Sequence, residues 1–399
     1  MKKNTIVLIL GLAGFVVMAD NWVVSPILPA ISKDLNIDVT RAGLLISAYM
    51  IPFGLFQLVF GPLADRYGKR QVINTSLVFF TIATALTATG VGLTDLAVYR
   101  ALTGIFAASV MPISMALIGD IFPMQERQSA IGTFMGIAFL GQGLSMAIGG
   151  SVAYFLNWRG VFFGYTILAL IPMLLLFTVG KEIPSIKNPD SKFLKPYAAL
   201  IKNPVSLRTY LVVLMEGIFL LGSFSYLGGY IAKTYNFNYL TIGFIMSSFG
   251  IAAIISGKIS GKLAARIGRK PVLLLGLASA SAGDILIYLT GDILGVLIFS
   301  VVLLGLGFML AHSTLLTYAT EFAAKARGAA MSLVAFCFMG GGGIGTAVGG
   351  RLIDLAGYDR FYITYGSALF VLVILAWVMV SEQVMRVESP NFIKEIKLT

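Results

Sequence analysis

Charge is scarce in this sequence. Only 12% of its 399 residues are Asp, Glu, Lys or Arg, against roughly 25% in a soluble domain. There is one cysteine, Cys337, which excludes an internal disulfide and any cysteine-rich metal site. There is one histidine and no H-E-x-x-H or similar cluster, which leaves no zinc centre. A G-x-x-x-x-G-K-S/T segment is absent, so no phosphate-cradling loop for nucleotide hydrolysis is encoded. With no nucleophile–base or metal constellation either, the sequence does not read as an enzyme and implies no cofactor.

What fills the chain instead is apolar: 58% of residues are hydrophobic and the mean hydropathy is +0.90. The apolar residues come in runs of roughly 20 or more, the length that crosses a ~30 Å hydrocarbon core at 1.5 Å per helical residue. Lipid offers backbone groups no partners, so spans are helices or a closed barrel, and unbroken runs exclude the alternating pattern of a barrel. An all-α membrane protein of twelve transmembrane helices is expected. They fall near 5–31, 41–63, 71–91, 95–121, 128–154 and 159–180, then 207–232, 240–262, 270–290, 293–319, 328–351 and 360–381. The first run is too long for a signal-peptide core and lacks a small-residue cleavage pattern, so it reads as a retained span.

The chain also repeats itself at an offset of 200. The turn Gly61-Pro-Leu-Ala-Asp-Arg-Tyr-Gly-Lys-Arg70 returns as Gly261-Lys-Leu-Ala-Ala-Arg-Ile-Gly-Arg-Lys270. Arg127 answers Arg327, Gly141 answers Gly341, Gly143 answers Gly343, and Gly149-Gly150 answers Gly349-Gly350. Two matches in one register indicate a duplicated architecture: two pseudo-symmetric six-helix bundles, 1–180 and 207–382. A lysine- and proline-bearing connector, 181–206, would join them, with a tail at 383–399. An even number of spans per half makes the halves parallel repeats about an axis along the membrane normal.

Basic residues set the expected orientation. With the N-terminus cytoplasmic, 22 of the 29 Lys and Arg residues fall inside, six fall outside, and Arg100 stays within a span. The positive-inside rule then puts both termini of a plasma (inner) membrane protein in the cytoplasm. It also explains the net charge of +11 through anionic lipid headgroups rather than nucleic acid.

These residues resemble the major facilitator superfamily over essentially the whole chain, in its twelve-span drug:proton antiporter branch. Gly61 to Arg70 is similar to that family's signature between helices 2 and 3. Asp20, followed by Pro26 and Leu28-Pro29, resembles the first-helix pattern of the branch, and Arg100 with Gly104 the arginine motif of helix 4. Gly141 to Gly150, followed by Trp158-Arg159, resembles the exporter motif of helix 5, except that Ser145-Met146 stands where a Gly-Pro pair is usual. The resemblance implies a secondary transporter that alternates access to a central cavity lined by helices 1, 4, 7 and 10.

Four ionisable residues fall on those helices, each costing roughly 2.5–3.5 kcal/mol to bury in lipid. Asp20 reads as a proton-coupling carboxylate or as a static structural partner. Arg100 reads as its counter-cation or as a side chain snorkelling to headgroups. Glu216 and His312 lie at similar depth in the second half, as a further proton or substrate site or a hydrogen-bonded packing pair. Asp284, on helix 9, reads as interfacial. Asn21, Trp22, Tyr49, Phe53, Gln142, Phe224, Tyr226, Thr314 and Phe336 are candidate substrate contacts. Gly61, Asp65, Arg66, Gly68 and Arg70, with Asp120, Arg127, Arg266, Glu321 and Arg327, are candidate latch elements at the cytoplasmic mouth, where Asp65 would meet the end of helix 11; loop solvation is the plainer alternative. The expectation is a monomeric, proton-coupled exporter of small amphipathic or drug-like compounds. A transporter of a polar metabolite such as a sugar or nucleoside is the close alternative, and a non-transporting membrane sensor or scaffold the distant one.

Overall fold

The structure is a computed structural model and describes residues 3–183, 185, 195–322 and 327–380. The expected tail at 383–399 lies outside the described residues, as does most of the polar stretch after Ile183. Among the described residues every regular element is helical. Eleven helices are long and apolar enough to cross a membrane, and the longest of them is two spans joined at a kink, which makes twelve.

In chain order the first half holds α1 (Lys3–Trp22, resumed as Val24–Leu35), α2 (Val39–Tyr67), α3 (Lys69–Thr89), α4 (Leu93–Ile121), α5 (Met124–Phe155) and α6 (Trp158–Thr178). The second holds α7 (Pro204–Tyr235), α8 (Tyr239–Ile267), α9 (Arg269–Thr290) and α10 (Leu294–Phe322). Its last pair, α11 and α12, lies within Arg327–Met379 and parts at Gly357, whose φ of 79° glycine adopts without a Cβ clash. The fold is thus the expected all-helical pair of pseudo-symmetric six-helix bundles.

The duplication is visible in the backbone. Gly68 and Gly268 both take positive φ, 101° and 93°, and Asn36 and Asn236 both cap a helix in the left-handed region. The charged decapeptide is therefore less of a loop than expected: α2 runs on to Tyr67, Gly68 alone makes the turn, and α3 begins at Lys69. The connector also departs from a plain polar linker. Residues Lys195–Lys202 form a short helix that buries Tyr197 and Leu200, and the Tyr197 hydroxyl donates to the Leu58 carbonyl of α2 at 3.0 Å.

Several spans are broken, for reasons written in their residues. Proline has no N–H, so Pro26 leaves the Trp22 carbonyl without its helical partner where α1 breaks at Val23, Pro29 does the same to Ser25 within the resumed helix, and Pro112 to Ala108 at the break in α4. In α7 the backbone widens to a π turn over Gly217–Leu221 and breaks again at Tyr226. Asn203, whose side chain accepts from the Val205 N–H, and Pro204 start that helix.

The helix ends bearing Arg66, Lys69, Arg70, Arg266, Arg269 and Lys270 lie at one end of the bundle, the basic end. The halves meet at mid-depth and toward the opposite, far end. There α5 and α8 cross so closely that a methyl at Gly150 would lie 2.4 Å from the Tyr239 carbonyl oxygen, and one at Gly243 2.4 Å from that of Met146. Only glycine permits such an approach. Nearer the basic end the same helices diverge, leaving a groove along Gly132, Gly136, Ile254 and Gly257.

Candidate functional site

The far end is closed by hydroxyls of one half donating to main-chain oxygens. Ser25 of α1 bonds the carbonyls of Phe224 and Ser225, both at 2.9 Å. Ser47 of α2 bonds the Gly343 carbonyl at 2.8 Å. From the other side, the Tyr226 hydroxyl reaches Thr40 at 3.2 Å and Thr346 at 3.0 Å. Gly228 packs on the Ser25 carbonyl that Pro29 had freed.

Below this seal, between the halves, lies a cavity of about 150 Å³. Its roof is Trp22, whose ring sits 5.3 Å from Phe224, 5.4 Å from Phe249 and 5.8 Å from Phe308. Seven methionines line it (Met18, Met111, Met115, Met135, Met309, Met331 and Met339), with Phe53, Phe139, Phe308 and Phe338. Polar groups are few: Gln57, Gln142, His312 and Ser332. An apolar cavity of ~150 Å³ accepts a benzene-sized group. Anything larger requires the wall to yield, and methionine, unbranched and polarisable, yields readily.

Of the expected substrate contacts, Trp22, Phe53 and Gln142 line this cavity. The others lie elsewhere. Phe224 packs behind Trp22, and Tyr226 belongs to the far-end seal. Thr314 turns its hydroxyl back to the Leu310 carbonyl and borders a separate groove with Ser313 and Thr317. The Phe336 carbonyl faces Gly54 across the α2–α11 contact. Asn21 and Tyr49 are buried inside the first half. The methionines went unread, although Met111–Met115 and Met135–Phe139–Gln142 carry the i, i+4, i+7 spacing of one helix face.

The four expected ionisable residues form two pairs. Arg100 Nη1 donates to Asp20 Oδ2 at 2.6 Å, with both side chains at most 1% exposed. Arg100 also lies over the Tyr49 ring at 4.3 Å and donates to the Asp20 carbonyl at 3.3 Å. The second carboxylate oxygen, Oδ1, has no partner. This pair is sealed behind the cavity wall. In the other half His312 Nδ1 lies 3.2 Å from Glu216 Oε2. The imidazole packs against Phe308 and Phe338, with centroids at 5.5 and 4.1 Å, rings that also stack on each other, and it borders the cavity, whereas Glu216 is fully buried behind it.

At the basic end the latch residues join neighbours within a half. Lys69 bonds Asp120 at 2.8 Å, and Arg269 and Glu321 make the equivalent pair in the second half. Asp65, expected to reach the end of α11, instead lies 3.6 Å from Lys69 one turn on, half exposed, because the halves stand apart at this end. Arg70 ties α3 to the connector through the carbonyls of Lys181 and Ile183. Gly61 has open space beside it apart from the Tyr197 hydroxyl, Arg66 lies over the Tyr67 ring, and Arg127 donates to the Phe122 carbonyl at 3.4 Å. Arg266 is exposed, and the Arg327 side chain lies outside the described residues.

A duplicated twelve-span bundle, sealed at one end around a central cavity, has the architecture of a membrane carrier. Comparison with known proteins agrees. The family model described as Major Facilitator Superfamily matches residues 10–346 and again 222–397, and the chain belongs to that family. An MFS-type transporter of Bacillus subtilis (strain 168), YceJ, is 26% identical over 379 residues, covering 90% of this chain and 92% of its own. Multidrug resistance protein 1 of the same organism is 24% identical, covering 94% of this chain and 97% of its own. The crystal structure of the nucleoside transporter NupG superposes with a TM-score of 0.78 at 14% identity, covering 95% of this chain and all of NupG, a likeness of fold. The protein is a multi-pass membrane transporter of small molecules, not an enzyme.

Proposed function

We propose that this transporter exports small amphipathic compounds in exchange for protons. The observation that carries the reading is the cavity wall: seven methionines and four phenylalanines against four polar side chains. A sugar or nucleoside needs a hydrogen bond for each hydroxyl it gives up to the site, and this wall offers only Gln57, Gln142, His312 and Ser332 for them. A soft wall suits compounds that share lipophilicity rather than a polar outline. The Bacillus multidrug resistance protein supports the same substrate class.

In this reading the basic end faces the cytoplasm, both termini included, and the arrangement described is inward-facing. Residues 1–180 and 207–382 rock as two bodies, tethered by 181–206. Asp20 and Arg100 form the coupling pair: a proton on Asp20 releases Arg100, and the repacking of α1 against α4 alters how α1 meets α7. His312, with Glu216 behind it, is the ionisable group that meets substrate. Opening the far end requires the halves to close at the basic end, which would bring Asp65 to α11.

The test uses purified full-length protein in proteoliposomes. Lipophilic cations should drive counterflow and release protons from the protein, whereas sugars and nucleosides should not compete. Asp20→Asn should retain substrate binding and lose proton release. Unchanged proton release in that variant removes Asp20 from coupling, and counterflow with polar metabolites alone overturns the substrate class.

A further inference from the structure

One carboxyl group takes no part in the cavity or in either ion pair. Asp284, expected at the lipid interface, is fully buried, and neither of its carboxyl oxygens has a hydrogen-bond partner. It lies inside the second half, where α9 packs against α10 and α12 and Ser223 of α7 comes within reach. Its Cβ is 3.1 Å from the position a methyl would take on Gly366, and the Ser281 hydroxyl one turn earlier bonds the Gly366 carbonyl at 2.7 Å. The groups that face it are Ser223 of α7 and Tyr362 and Tyr365 of α12. α10 approaches at the neighbouring Gly283, where the Ser300 carbonyl and Leu304 side chain lie. Among the described residues no Lys, Arg or His faces it.

A carboxylate ion here would have neither water nor counter-charge, a state far costlier than a neutral acid. The neighbours fit the neutral form. Ser223 already donates its proton to the Leu220 carbonyl at 3.1 Å, so only its lone pairs are free. The Tyr365 hydroxyl is likewise spent on the Gly345 carbonyl at 2.6 Å. A protonated Asp284 can donate toward Ser223 and accept from the unpartnered Tyr362 hydroxyl. An ionised one can still accept from Tyr362, but at Ser223 it meets only lone pairs unless that hydroxyl swings away from the Leu220 carbonyl, which lies in the π turn of α7.

That turn leads into the far-end seal. One residue past Ser223, the Phe224 carbonyl accepts from Ser25 of the other half. Ser225 follows, bonded to Thr346 at 2.8 Å, and then Tyr226, bonded to Thr40. Asp284 is six residues from the far end of α9, which places it nearer that side than the basic end. We propose that Asp284 is a second proton-binding site, in exchange with the far side, and that its protonation closes the far-end seal through Ser223 and α7. Closure then follows proton uptake, and loss of the proton loosens α7 and lets the far end part. This assignment is independent of the role given to Asp20.

Spin labels at Lys33→Cys and Lys233→Cys, on a Cys337→Ala background in nanodiscs, report the far-end separation by double electron–electron resonance. The distance should lengthen as the pH is raised from acid to alkaline. Asp284→Asn, a permanent neutral mimic, should hold the short distance at every pH, while Asp20→Asn keeps the shift. A wild-type-like shift in Asp284→Asn, a long distance at every pH, or no shift in the parent protein overturns the proposal. Should Asp284→Asn fail to fold, infrared difference spectra of a protein carrying Asp20→Asn and Glu216→Gln carry the test. A buried carboxylic acid band that titrates and moves in Tyr362→Phe supports the site, and its absence sinks it.

Discussion

The two halves each bury an acid–base pair, and the pairs are built differently. Asp20–Arg100 is a 2.6 Å contact between strong charges, shut away from the cavity and covered by the Tyr49 ring. Glu216–His312 is a longer contact, 3.2 Å, and its imidazole stands at the cavity wall. A sealed pair of formal charges is tolerated only as a pair, because either partner alone is a desolvated ion. A pair ending in histidine has a neutral state available to it and a face that a substrate can touch. Duplication supplied two equivalent frames, and chemistry filled them differently: one holds a pair sealed from the cavity, the other a pair with one face on the cavity wall.

The sharpest way to break this comparison is to orphan one charge. Arg100→Leu should cost about 3–5 kcal/mol by leaving Asp20 unpaired, read as a lost or strongly lowered Tm in detergent. The double variant Asp20→Asn with Arg100→Leu should regain most of it. Glu216→Gln should cost less, about 1–3 kcal/mol, since His312 can go neutral. Its larger effect should appear as a changed pH profile of substrate binding. If Glu216→Gln destabilises as much as Arg100→Leu, the two pairs are the same kind of object.

Next in size is the far-end seal, which both pairs face. Gly150→Val should cost the closed arrangement about 1–3 kcal/mol by forcing α8 away. Alkylation of Phe224→Cys from the far side, on a Cys337→Ala background, would detect the opening. Smaller effects belong to the wall: Met111→Ala and Met115→Ala should each change affinity on the order of 1 kcal/mol, with different compounds affected. Equal losses for every substrate would mean that the wall is scaffold rather than contact surface.

The smallest effect is at the far surface, where Asp34 accepts from Trp158 at 3.1 Å and from Arg159. The Arg159 hydrogen bond holds the Asp34 carboxyl below its usual value of 3.8. A depressed acid contributes stability above that value and loses it as the pH falls through the folded one. Arg159→Ala should therefore flatten the acid limb of a Tm profile, by well under about 1 kcal/mol for so exposed a pair.

The sequence announced the spans, their duplication and the four ionisable residues, because length, repeat register and rare charges are properties of the string. It did not announce which way helices turn. In lipid the outer face of a helix is as apolar as its packed face, so periodicity carries little azimuthal signal. That is why Asp284 read as interfacial and why Tyr226 and Thr314 were placed at the substrate. The methionine wall was within reach, since Met111 and Met115 share a face, but nothing in one helix says which partner that face will meet. The break in α1 was legible in Pro26 and Pro29; the π turn in α7 has no comparable marker.

The acceptors that cross between the halves in the far-end seal are all peptide oxygens: Phe224, Ser225, Gly343 and Thr40. Such acceptors recur along every turn of a helix whose ladder is loosened by proline or glycine. A hydroxyl that leaves one of them finds the next within a small slide, so the interlock behaves as a ratchet with several teeth rather than a single clasp. Substituting the residues that own those oxygens leaves the teeth in place, and only changing Ser25, Ser47 or Tyr226 takes away the pawl.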